Sequence, residues 1–162
     1  MASKAFFDPI VLLRAAPLVT STSALWFSLD QYTFLNNFLR PEHHEKANEL
    51  VPSYFKTFFP GGAAHIFLLY GISISTGAAN FWGKPNGAWR WYAAGTALAA
   101  THFAFVPKIM WVIQSLCEDQ YKGQGNRELK KWLNIHVIRS VIADLPAWIC
   151  FGAAALTSLQ AI

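Results

Sequence analysis

Of 162 residues, 54% are hydrophobic and only 14% are charged, against about 25% charged in soluble domains. So little polar surface points to a membrane protein, and the length suits a single domain, residues 1–162, of four spanning helices. The net charge of +4 and pI of about 9.2 do not point to nucleic acid, because the few basic residues gather near segment ends, where they meet lipid headgroups.

The predicted fold is all-α: an integral membrane four-helix bundle with an amphipathic first loop. Helices are expected throughout, since an open sheet in lipid leaves its edges unpaired. After Lys4, Asp8 and Arg14 interrupt the apolar N-terminus and no small-residue cleavage site follows a compact apolar core, so the first helix is expected to persist in the mature protein. The first span is predicted from about Pro17 to Leu39, with room to begin as early as Ile10. It is the most polar of the four, with Thr20 to Ser23 near its start and Asp30, Gln31, Asn36 and Asn37 near its end. Residues 40–60 mix Glu42, His43, His44, Glu45 and Lys46 with Val51, Tyr54, Phe55, Phe58 and Phe59. They are expected to form a loop whose second half lies against headgroups or caps the bundle.

The second span is predicted over Gly61–Trp82 and the third over Trp89–Ile113. Gly123, Gly125 and Asn126 mark a loop. The fourth span is predicted over Leu133–Leu159. Basic residues near the first and third loops outnumber those near the termini and second loop. The positive-inside rule therefore places the first and third loops in the cytosol and both termini outside it. Cys117 and Cys150 are spaced neither as metal ligands nor as a disulfide framework.

The spans carry few ionisable groups. Such groups are costly in a bilayer and are candidate functional residues for that reason. On the fourth helix, Trp132, His136, Arg139, Ser140 and Ala143 share one face. Asp144 is turned aside from His136 by roughly 80° in a regular α-helix and is expected to reach another helix or a backbone group; Pro146 is expected to weaken the helix nearby. On the second helix, His65, Leu69, Ile72, Thr76 and Asn80 form a stripe expected to face the interior, with Tyr70 off it. On the third, His102 shares a face with Phe105 and Ile109, and Lys108 points elsewhere as an interfacial cation. The bland alternative for each polar group is interhelical pairing: Arg139 with Asp30 or Asp144, and Thr76 and Asn80 as helix glue. His65, His102 and His136 come from three helices without ligand spacing, so no metal and no other cofactor is assigned. No nucleotide-binding or serine-hydrolase motif is present.

The third helix ends Thr101-His102-Phe103-Ala104-Phe105-Val106-Pro107 before a short charged loop. The fourth opens with Trp132, Asn134 or His136, and Arg139. With the four-span layout, these features make most of the chain similar to the fungal anthrone oxygenase-like membrane proteins. His136 stands where that family is expected to carry asparagine, and Asp144-Leu145-Pro146 is a further departure. The resemblance implies an enzyme of polycyclic natural-product biosynthesis in the endoplasmic reticulum membrane. Anthrone oxygenases oxidise an acidic anthrone carbon to a quinone carbonyl with dioxygen, with no known need for metal or flavin. On that reading His136 or His102 is the base and Arg139 clamps the enolate. Trp26, Trp111, Trp132 and Phe105 supply apolar walls, and His65, Tyr70 and Asn80 contribute to substrate binding. Two other readings stay open. One is a non-redox cyclase or isomerase of a lipophilic polyketide or terpenoid, with Asp30 or Asp144 as a neutral proton donor. The other is a non-catalytic membrane scaffold. The expected partners are a lipophilic small molecule and the bilayer. The small-residue face Gly152 to Ala155 leaves a homo-oligomer open.

Overall fold

A computed structural model describes residues 8–159, and every regular element among them is helical. Helix α1 runs over Pro9–Asn36 and ends in a 3₁₀ turn, Asn37–Leu39. Helix α2 covers His44–Gly83. Helix α3, Trp89–Thr101, passes through a 3₁₀ turn, His102–Phe105, into α4, Val106–Cys117. Helix α5, Gly125–Arg139, passes through a π turn, Ser140–Asp144, into α6, Leu145–Leu159. Four helical runs are long and apolar enough to cross a membrane: Pro9–Leu39, His44–Gly83, Trp89–Cys117 and Gly125–Leu159. Lys4, one of the charges used to predict the orientation, lies outside the described residues.

Three boundaries differ from the sequence expectation. Helix α1 begins at Pro9, with Asp8 capping it through a hydrogen bond from the Ile10 N–H at 2.8 Å and Pro9 preset for the first turn. The predicted amphipathic loop is helical from His44 onward and continuous with the second span. At 1.5 Å per residue the 40 residues of α2 reach about 60 Å, twice the hydrocarbon thickness. Its N-terminal half therefore projects beyond the bilayer. The extension is held by packing: Ala47, Val51 and Phe55 are buried against Leu129, Trp132 and Leu133 of α5. Gly125 permits this approach, because a Cβ there would lie 2.6 Å from the Asn48 carbonyl oxygen. The fourth run begins at Gly125 for the same reason, eight residues ahead of the predicted Leu133.

Two apolar cores result. One joins α2, α4 and α5 at the projecting end, around Phe55, Ile113, Leu116 and Leu129. The other joins α1, α2, α3 and α6, around Tyr92, Phe151 and a set of alanines. Small residues set the helix spacing in the second core: a Cβ on Gly95 would lie 2.8 Å from the Phe151 ring. Tyr92 bridges elements there, donating to the Arg14 carbonyl at 2.9 Å and meeting the Ser158 hydroxyl at 2.9 Å.

Candidate functional site

Beside these cores, buried ionisable side chains from two spanning runs meet. His102 Nδ1 lies 2.9 Å from Asp144 Oδ1, and both side chains are buried. An ionised carboxylate only accepts, so His102 donates from Nδ1 and leaves Nε2 with a free lone pair. Asp144 Oδ2 faces Arg139 Nε at 3.6 Å. Arg139 Nη2 donates to His136 Nδ1 at 2.8 Å, and His136 Nε2 donates to the Ser28 carbonyl at 2.9 Å. A guanidinium can only donate and a carbonyl can only accept, so His136 is neutral with its proton on Nε2. Both its ring nitrogens are occupied. The Trp132 ring stacks on it at 4.7 Å with planes 14° apart.

The π turn makes this cluster. In an α-helical continuation Asp144 would point away from the face of His136. A π turn closes over five residues, so Asp144 comes round close beneath Arg139, five positions earlier. The signal for it in the sequence is Pro146. Its missing N–H and its clash with the carbonyl four residues back disfavour a regular helix there. On the partner run, the 3₁₀ turn that opens at His102 ends just before Pro107, again next to a proline. Tyr70 of α2 lies over His102 with ring centroids 4.0 Å apart.

A cavity of about 100 Å³ opens onto His102 and Arg139. It lies between α2 and α4, walled by Phe58, Phe59, Ile66, Ile109 and Trp132 and floored in part by Gln31. Met110 and Phe67 at its rim are exposed, so the opening faces lipid. The cavity thus presents one imidazole with a free nitrogen, one guanidinium, the Gln31 amide and otherwise apolar walls. Among the described residues no three His, Cys, Asp or Glu side chains gather into a group able to hold a metal.

The chain is similar to three fungal proteins over nearly its whole length. It is 31% identical to "Epoxidase pydX" of Acremonium sp, over 93% of this chain and 96% of the relative. It is 28% identical to "Probable epoxidase scpX" of Mollisia scopiformis, over 93% and 98%, and 29% identical to "Epoxidase gkaX" of Penicillium citrinum, over 91% and 95%. This chain belongs to that family of small fungal epoxidases. It is therefore an enzyme of oxygenase type, and the relatives place the family in fungal secondary metabolism. These names speak of epoxidation and not of anthrone oxidation. No family model matches the sequence and no solved structure matches it.

Within this epoxidase family member, His102, Arg139, Asp144, His136 and Trp132 come together, and Tyr70 joins them. The others do not. His65 is exposed and bonds within its own helix, its Nδ1 2.8 Å from the Gly61 carbonyl oxygen. Helix α2 buries the neighbouring face, Tyr70, Ser73 and Gly77, and of the predicted stripe only Asn80, because Gly77 lets other helices approach there. Asn80 donates to the Leu13 and Thr76 carbonyls at 2.7 and 2.8 Å and so ties α2 to α1. Trp111 is 76% exposed, since α4 buries Ile109, Ile113 and Leu116 on its other side. Phe105 is half-buried and lines neither this cavity nor a larger groove on the far side of α5, between α1 and α6. Asp30 is half-buried and lines neither of them, and Arg139 is partnered by His136 and Asp144 instead. Trp26 lies on the opposite side of α5, in that groove. His136 has no free nitrogen for a substrate proton. Gln31, buried at the cavity floor, was missed as a site residue. Its only sequence signal is an amide inside an apolar run.

Proposed function

We propose that this protein is a membrane-embedded oxygenase that epoxidises a lipophilic polyketide-type intermediate, by base-assisted reaction of the substrate with dioxygen. The observation that carries the reading is the His102–Asp144 pair, with the Arg139 guanidinium beside it on a lipid-facing cavity. Asp144 fixes the His102 tautomer and stabilises the imidazolium that forms. His102 Nε2 takes the proton from an activated C–H next to a carbonyl. Arg139, held by His136 and always charged, stabilises the enolate oxygen. The enolate carbon gives its electrons to dioxygen, and the peroxide anion regains the proton from His102. The hydroperoxide then has two exits. Loss of water leaves a carbonyl, which is the anthrone-type outcome. Transfer of its outer oxygen to a neighbouring C=C leaves an epoxide and an alcohol. The names of the relatives favour the second exit.

The test is product analysis on membranes carrying the protein, offered lipophilic polyketide substrates with and without dioxygen. With ¹⁸O₂, the epoxide route places both labelled atoms in the product and the carbonyl route places one. His102→Ala should lower turnover by about 10²- to 10⁴-fold. Turnover without dioxygen, or full activity in His102→Ala and Arg139→Ala at equal protein level, would refute the proposal.

A further inference from the structure

Gln31 opens onto the α2–α4 cavity and has no part in the proposed reaction. It comes from α1, is 7% exposed and lines that cavity. The other buried amides are engaged elsewhere: Asn80 donates to the Leu13 and Thr76 carbonyls, and Asn126 to the His44 carbonyl. The Gln31 amide has no hydrogen-bond partner among the described residues. Unlike the hydroxyls of Ser28 and Ser140, it is not sealed off by protein. An amide left unpaired in an apolar, lipid-facing cavity is destabilising, and Gln31 therefore offers its hydrogen bonds to whatever fills the space.

Two further observations say what fills it. The amide nitrogen rests beside Gly62 of α2, where a Cβ would stand 3.4 Å from it, in van der Waals contact. A buried side chain held against a helix is already ordered, so a ligand that bonds it loses little entropy in doing so. The cavity measures about 100 Å³, well below the range of about 300–1,000 Å³ that encloses a whole small molecule. It therefore takes one end of the substrate, and the remainder stays in lipid beyond the exposed rim at Phe67 and Met110.

We propose that Gln31 sets the specificity of this site: its amide N–H donates to a second oxygen, a hydroxyl or a carbonyl, on the same end of the substrate whose first carbonyl meets Arg139. The inference rests on the α2–α4 cavity being the oxygenase site and names the kind of head group that site selects. The substrate is then a lipophilic chain ending in a compact head with two oxygens. A head with the enolisable carbonyl alone is discriminated against, because it leaves the amide unpaired.

The probes are 3-decylcyclohexanone, with one oxygen, and 5-decyl-3-hydroxycyclohexanone and 2-decylcyclohexane-1,4-dione, with two. Binding would be read as the excess of probe retained by lipid nanodiscs carrying the protein over empty nanodiscs. The better of the two-oxygen probes should bind about tenfold or more tightly than the simple ketone. Gln31→Leu should abolish that advantage, leave binding of the simple ketone unchanged, and keep the melting temperature equal or higher, since leucine has no amide to leave unpaired. Gln31→Met, of nearly the same length, should do the same where leucine disturbs the packing at Gly62. Arg139→Ala should weaken all three probes. If neither two-oxygen probe outbinds the simple ketone, or the advantage survives in both Gln31 variants, the inference is overturned, while binding that depends on Arg139 leaves the proposed function standing. Binding of none of the three probes would overturn both.

Discussion

Asp144 and His136 exchange the roles that their positions on a regular helix suggest. Asp144, which helical geometry turns aside, orients His102, the imidazole of the buried cluster that keeps a free nitrogen. His136, which shares a face with Arg139, spends both nitrogens holding that guanidinium and a backbone carbonyl. The two therefore respond differently to substitution. Asp144→Asn keeps a side chain of the same size but removes the charge that sets the His102 tautomer, and turnover should fall by about 10²- to 10⁴-fold. Arg139→Lys keeps the charge but replaces a fork by a point donor, which cannot both meet His136 and face Asp144. It should lower kcat with little change in thermal unfolding in detergent. Equal kcat in Arg139→Lys would mean that only the charge matters.

Between residues and bundle, two irregular turns build the proposed site. The π turn and the 3₁₀ turn each lie next to a proline, and together they bring Asp144 and His102, 42 positions apart, into contact. Pro146→Ala should let the π turn relax toward α-helical pairing and swing Asp144 off His102. The expected result is loss of turnover with helix content by circular dichroism unchanged and melting temperature equal or higher. Retained activity would show that the packing of α6 alone maintains the turn. The glycine contacts are purely structural by contrast. Gly95→Val would drive side-chain atoms into Phe151, where even a Cβ comes within 2.8 Å, and should destabilise the bundle by about 1–3 kcal/mol in denaturant titrations.

For the molecule as a whole, the α2–α4 cavity opens to lipid, which suits a substrate that partitions into the bilayer. The projecting halves of α2 and α5 and the end of α4 form a headpiece on one side. Lys46, Lys56, Arg127, Lys130 and Lys131 all lie on these two projecting segments. The positive-inside rule puts that side in the cytosol, and we propose the endoplasmic reticulum as the membrane. A glycosylation acceptor inserted in the short turn at residues 84–87 should then be modified, and one inserted at residues 118–124 should not. The reverse pattern would invert the assigned orientation.

The membrane class and the four runs could be read directly from the chain, because transfer into lipid is a sum over consecutive residues that no distant contact alters. The shared face of Trp132, His136 and Arg139 was legible too, since it needs only the helical period. Where α2 begins was not: Glu42 to Lys46 look like a loop until Phe55 finds Trp132 across the bundle. The same holds for the choice of face on α2, where burial followed Gly77 rather than the polar stripe through His65. The His102–Asp144 pair depends on a helix rotated by one π turn and on two helices brought to hydrogen-bonding distance. Side-chain partners on different helices are set by rotation and approach, which the packing of the whole bundle determines and local periodicity does not record.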